Sequence, residues 1–115
     1  MPDSGCIFCK IARREVGSTF LYRDDRIYVI EDIHPVAPVH LLIIPIQHIT
    51  SLAYIGSRQS PMMGHIFTVA EEMARRKGIT VSGYRLVMNQ GSNSGQSVVH
   101  IHMNLIGGAP LAGIG

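Results

Sequence analysis

The chain has 115 residues, of which 46% are hydrophobic and 16% charged, and carries a formal net charge of +2. That balance excludes a disordered chain, the length fits one domain spanning residues 1–115, and so small a charge gives no electrostatic footprint for a nucleic-acid partner. No apolar run approaches the roughly 20 residues of a spanning helix, so no membrane partner is expected.

The opening stretch "MPDSGCIFCKIARRE" lacks the apolar centre of a signal peptide, which makes the cytoplasm the expected location. Cys6 and Cys9 stand too close for a comfortable structural disulfide and suit a metal or redox pair better. In "CIFCKIARRE" (6–15), Ile7 and Ile11 share one helical face, predicting a short N-terminal helix. "STFLYRD" (18–24) and "RIYVIED" (26–32) are aromatic and β-branched runs that predict a hairpin. "HPVAP" (34–38), with two prolines, must be a loop. "VHLLIIP" (39–45) is nearly continuous in apolar residues, as a buried central strand would be, and ends at Pro45.

"SPMMGHIFTVAEEMARRKG" (60–78) predicts the longest helix. Ser60 can cap it, Pro61 fits its first turn, and Gly78 fits just beyond its end. Met62, Ile66, Val69, Ala70 and Met73 form the apolar stripe. Arg75, Arg76 and Lys77 complement the negative end of the helix dipole. "GYRLVMN" (83–89) predicts a further strand, and "QGSNSGQS" (90–97) a polar loop. Its Gly91 and Gly95 permit an anion cradle. That loop is neither a P-loop nor a dinucleotide fingerprint, because no Lys follows the glycines and a strand comes next. Mixed strands and helices, with two strands joined by a loop, predict an α+β fold: an antiparallel sheet with helices on one face.

"VVHIHMNLIGG" (98–108) alternates His100, His102 and Asn104 with Ile101, Met103 and Leu105, the pattern of a half-buried strand. Neighbours on the polar face then stand about 6.5 Å apart. A lone His on a strand is commonly a solvated or hydrogen-bonded group. Two His at i and i+2 can act as a metal pair, or as a nucleophile with its orienting neighbour. Of the other His residues, His65 suits a packed or surface role on the long helix, and His34 a solvated one in its loop. His40 and His48 lie in or beside strands.

The segments "DIHPVAPVHLLIIPIQH", "YRLVMNQGSNSGQS" and "HIHMNLIGG", in this order and spacing, closely resemble the histidine triad (HIT) nucleotide-binding family, Hint branch, from about residue 6 to residue 108. The departure is Asn104, where the family has its third His. The "LIGG" ending resembles the Hint branch more than the diadenosine-polyphosphate hydrolase branch. The resemblance implies a HIT-like antiparallel sheet with a long and a short helix. It also implies hydrolysis at the phosphorus of a purine nucleoside monophosphate group such as an AMP conjugate, through a nucleotidyl-histidine. His102 is then the nucleophile, the His100 carbonyl fixes its tautomer, Asn104 occupies the third triad position, and His40 supports the triad. The implied phosphate contacts are Asn89, Gly95, Gln96 and Ser97, with Asp32 on the ribose. Ile7, Phe8, Ile11, Ile30 and Ile33 match the base pocket, although without the resemblance they would pass for ordinary core.

Some bacterial-type members bind zinc through a C-x-x-C, a His after the "IIP" strand and the first triad His. Here these are Cys6, Cys9, His48 and His100, a closed tetrahedral set expected to hold structural zinc. Otherwise the two cysteines pack as small hydrophobes. The resemblance also implies a homodimer. Two alternatives to a hydrolase stand: a nucleotide-binding sensor or partner module that turns over poorly for lack of a full triad, and a small zinc-stabilised interaction domain.

Overall fold

The computed structural model describes residues 5–114. Helix α1 (Ile7–Ala12) precedes strands β1 (Tyr22–Arg23), β2 (Ile27–Glu31) and β3 (Val39–Pro45). Helix α2 (Ser60–Arg76), β4 (Tyr84–Val87) and β5 (Met103–Gly107) follow, with 3₁₀ turns at Leu52–Tyr54 and Ser92–Ser94. The strands make a five-stranded sheet in the order β1-β2-β3-β5-β4, antiparallel at every pairing. The predicted α+β class, with one long and one short helix, is the observed one. Among the described residues no helix is long and apolar enough to cross a membrane.

The helices cover both faces of the sheet, not one as expected. Ile27, Val29, Leu41, Ile43, Met103 and Leu105 face the predicted stripe of α2, from Met62 to Met73. Tyr28, Ile30, Leu42 and Ile44 face Phe8, Ile11 and Ala12 of α1. The reason lies in β2 and β3, which are apolar at successive positions. A strand of that kind exposes hydrophobic surface on both sides unless both are covered. Each such side chain contributes roughly 1.5–3 kcal/mol when fully buried. The Tyr28 hydroxyl, buried beneath α1, donates to the Phe8 carbonyl at 2.7 Å and anchors the helix backbone to the sheet.

Three local expectations are corrected. The hairpin forms, but β1 pairs over only two residues. Ser60 lies inside α2; the cap is Gln59 without a side-chain capping bond, and the Ser60 hydroxyl donates to the Gly56 carbonyl at 2.9 Å. The strand expected from residue 98 begins at Met103. Its ladder with β3 stops at the Ile43–Met103 pair, and upstream of it the chain bonds elsewhere: the Ile101 amide donates to the Ile49 carbonyl at 2.8 Å. The inside–outside alternation nevertheless continues, with Ile101 in the α2-side core.

Two further features hold the frame. Asp24 accepts from the backbone amides of Arg26 and Ile27, from the Tyr22 hydroxyl and from His65, joining the β1–β2 turn to α2. Burial alone would raise its carboxyl, but the bonds from His65, Tyr22 and the two amides outweigh it and hold the group well below the usual carboxylate range. At the end of β5, a Cβ on Gly107 would meet Ile79 Cδ1 at 2.9 Å and the Gly83 carbonyl oxygen at 3.3 Å. A side chain there would force Ile79 Cδ1 aside and crowd the Gly83 carbonyl, so glycine suits this close approach of β5 to the segment after α2.

Candidate functional site

On the α1 side of the sheet lies a cleft of about 340 Å³. Strand alternation explains its floor. Ile30 pairs with Leu42, and Leu42 with Asn104, so these three point the same way across adjacent strands. α1 supplies one wall through Ile7, Phe8 and Ile11. Asp32 and Ile33, just past β2, form the opposite lip. Asn89 and the Gly95–Gln96–Ser97 turn close the end where His102 and Asn104 stand. All the residues matched to base, ribose and phosphate therefore border one cavity. Phe8, Ile11 and Ile30 are also core, packed with Tyr28, Leu42 and Ile44.

Hydrogen bonds to the backbone fix the tautomers of His102, His100 and His40, because a carbonyl oxygen can only accept and an amide N–H can only donate. His102 Nδ1 lies 2.8 Å from the His100 carbonyl oxygen. Nδ1 therefore carries a proton, and in the neutral ring the lone pair is on Nε2. His100 Nε2 donates to the Pro45 carbonyl at 2.7 Å, which leaves Nδ1 as a bare lone pair. Burial pushes His100 down to about 4; the Pro45 carbonyl raises it only in part, and the neighbouring His48 and His102 lower it further. At neutral pH the ring is uncharged. His40 Nδ1 accepts from the Val36 amide at 3.2 Å, so its Nε2–H donates to Asn104 Oδ1 at 2.9 Å. That bond assigns the Asn104 amide, whose Nδ2 donates to the Val87 carbonyl of β4 at 3.1 Å.

Asp32 sits half-buried beside this network. One carboxylate oxygen accepts from the His34 amide at 2.8 Å, and the other lies 3.5 Å from His40 Nε2. Gln96 is less available than its expected phosphate role implies. Its side-chain oxygen accepts from the Gly91 amide at 2.7 Å and its nitrogen donates to the Val98 carbonyl at 3.0 Å, so the side chain closes its own loop. Gly95, at φ 86°, makes the turn that leads into it.

His100 and His40 do not border the cleft; they stand behind His102 and Asn104. Glu31, His34, Leu42 and Val98 do border it, though the sequence did not single them out for it. Leu42 was within reach, since it shares a strand face with His40. His34 was not, because the path of its loop depends on bonds to Asp32 and His40.

Behind the cleft, Cys6, Cys9, His48 and His100 bring four ligand atoms within 4.8 Å of one another. Cys6 Sγ and His100 Nδ1 are 3.3 Å apart, as are Cys9 Sγ and His48 Nδ1. Cys9 Sγ to His100 Nδ1 is 3.6 Å, and the two Nδ1 atoms are 3.1 Å apart. A tetrahedral ion with thiolate and imidazole ligands needs edges of about 3.3–3.8 Å. The four separations, 3.1–3.6 Å, lie close to that range, and two thiols with two imidazoles are a donor set suited to a metal ion; the Pro45 carbonyl provides the outer bond that orients a ligating imidazole.

Comparison with known proteins is consistent with this geometry. The family model DcpS_C, described as scavenger mRNA decapping enzyme C-term binding, matches residues 5–110. The chain is 45% identical over 105 residues to the purine nucleoside phosphoramidase of Escherichia coli (strain K12), covering 91% of this chain and 88% of that protein. It superposes on a histidine triad protein from Clostridium difficile with a TM-score of 0.93 at 39% identity, over 100% of both chains. A HIT family hydrolase from Legionella pneumophila Philadelphia 1 gives 0.91 at 41%, over 94% of this chain and 96% of that one.

Proposed function

The chain belongs to the histidine triad (HIT) family, and from that premise we propose that it is a purine-nucleotide hydrolase of the Hint branch. It cleaves a nucleoside phosphoramidate or a related nucleotidyl conjugate through an intermediate on His102. The observation that carries this reading is the His102 imidazole at the cleft wall, its Nδ1 held by the His100 carbonyl at 2.8 Å. In its neutral form an imidazole so held has Nε2 free to act as the nucleophile. The Nε2 lone pair attacks phosphorus, an N–P bond forms, and the bond to the leaving group breaks with its electron pair on that group. Positive charge then developing on the ring is stabilised through Nδ1–H by the same carbonyl. Water attacks phosphorus in the second step, releasing the nucleoside monophosphate and restoring the imidazole. The test is capture of the nucleotidyl-His102 adduct, argued in the Discussion.

The remaining assignments follow the cleft. Ile7, Phe8, Ile11, Ile30 and Ile33 receive the base. Asn89, Ser97 and the backbone around Gly95 and Gln96 receive the phosphate, where donors stabilise charge building on phosphoryl oxygens. Asn104 replaces the third triad His, and His40 positions it. Cys6, Cys9, His48 and His100 hold zinc. With four protein ligands the ion has no open position, so it supplies structural rigidity and no reactive site.

Asp32 accepts hydrogen bonds from the ribose hydroxyls. Asp32→Ala is expected to weaken AMP binding about tenfold or more, the loss of a charge-assisted hydrogen bond. Binding of 2′,3′-dideoxy-AMP should hardly change. Calorimetry on both ligands checks this, and equal losses would make Asp32 a loop-holding residue only.

The working state is a homodimer. Support comes from β4, one of the two outer strands of the sheet, with half-buried side chains along its length, and from Phe67, which is exposed on α2. An unpaired edge strand beside apolar surface invites two-fold pairing. Light scattering at micromolar concentration should give twice the chain mass; a single chain mass would remove the proposal.

A second reading, a nucleotide-binding module of weak turnover, is favoured by one observation. The Asn104 amide, fixed between His40 and Val87, has no proton to transfer.

A further inference from the structure

None of the four clustered ligands borders the cleft. Yet the cluster touches both halves of that site. His100 is fully buried and engaged on three sides. Its Nδ1 faces the sulfur atoms and His48, its Nε2 donates to Pro45, and its backbone carbonyl accepts from His102. The group that fixes the tautomer of the nucleophile is thus the backbone of a ligand. On the other side, Cys6 caps α1 and Cys9 lies within it, and between them stand Ile7 and Phe8 of the cleft wall. The Phe8 ring meets both imidazoles edge-on, with centroids 5.7 Å from His100 and 5.1 Å from His102. α1 spans only six residues, too short to persist without tertiary support.

We propose that the four-ligand centre positions the nucleotide site: zinc held there fixes the base-side wall through Cys6 and Cys9, and the nucleophile through the His100 backbone. Cys6, Cys9 and His48 are then positioning residues that never touch the nucleotide. The inference rests on the nucleotide-site reading above and deepens it, because nucleotide affinity becomes a function of metal occupancy. Coupling of this kind is reciprocal: whatever factor zinc contributes to nucleotide affinity, the nucleotide returns to zinc affinity.

The experiment uses the zinc-loaded protein and AMP as the probe. Calorimetry measures AMP affinity at known zinc content, before and after treatment with a chelator. A chromophoric chelator then measures zinc affinity with and without saturating AMP. Removing zinc is expected to weaken AMP about 10- to 100-fold, the scale on which support around a metal site acts. AMP should tighten zinc retention by the same factor. Nitrogen NMR of His102 should show a single Nδ1–H tautomer in the loaded protein and a mixture after zinc removal, a change that loss of general stability alone does not produce. If AMP binds the loaded protein but leaves zinc affinity unmoved, the coupling is overturned and the nucleotide-site reading stands. If the loaded protein does not bind AMP, both fall. Should the chelated chain unfold, AMP would tighten zinc through folding alone, and the variant that follows decides instead. Cys6→Asp, which replaces the sulfur donor with an oxygen donor, offers a second route: its AMP affinity should climb in step with zinc occupancy, and AMP affinity independent of occupancy would overturn the proposal.

Discussion

His102→Ala is expected to abolish the nucleotidyl-enzyme and lower kcat on an adenosine phosphoramidate by about 10⁴-fold or more, the scale for loss of a covalent nucleophile. The wild-type protein, mixed with substrate and quenched within one turnover under alkaline denaturing conditions, should carry one nucleotidyl group per active chain. Intact-mass spectrometry reads the adduct, and fragmentation places it. The site's own bonding argues for His102 over its neighbours. His100 directs Nδ1 at the sulfur atoms and commits Nε2 to Pro45. His40 has both nitrogens engaged, one by the Val36 amide and the other by Asn104. His34 borders the cleft but lies exposed on its rim. An adduct mapping to His34, or undiminished turnover in His102→Ala, would overturn the mechanism.

Asn104→His is the second large effect. A protonated imidazole can give a proton to a departing amine near neutral pH; a carboxamide cannot. If proton transfer at this position limits the native chain, introducing His should raise turnover of poor leaving groups by on the order of 100-fold. Substrates whose leaving group departs as a stable anion should gain little, and AMP affinity should change little. The pH profile supplies an independent sign. An acid at position 104 acts while protonated, so the gain should be present at and below neutrality and decline as pH rises through the imidazole's pKa. Asn104 already accepts from His40 and donates to Val87. To act as the acid, a His at 104 must direct one N–H at the leaving group, so it can keep only one of these two bonds. Equal turnover of both leaving-group classes by the native chain and Asn104→His would show that position 104 is not the missing acid.

The sequence by itself determined the elements whose evidence is local. The apolar run at 39–45 is β3, residue for residue. The 3.6-residue stripe from Met62 to Met73 is the buried face of α2. The alternation around His102 does sort polar from apolar side chains, because the period of two persists even where no ladder forms. The resemblance located residues that the fold then gathered around one cleft, and the C-x-x-C proved to be half of a four-ligand cluster.

Only the tertiary structure decided the rest, and the reason is the sequence distance between partners. Cys6 and His100 are 94 residues apart, and His40 and Asn104 are 64 apart. No local pattern says which nitrogen of His100 faces sulfur, which way the Asn104 amide turns, or that the Gln96 side chain is consumed by its own loop. The start of β5 depended on where its ladder with β3 stops, at Ile43, and the side of the sheet taken by α1 on which face the long helix left bare. A residue's type and spacing state what it can do. Its tautomer, its remaining lone pair and its neighbours follow from contacts that exist only once distant segments have met.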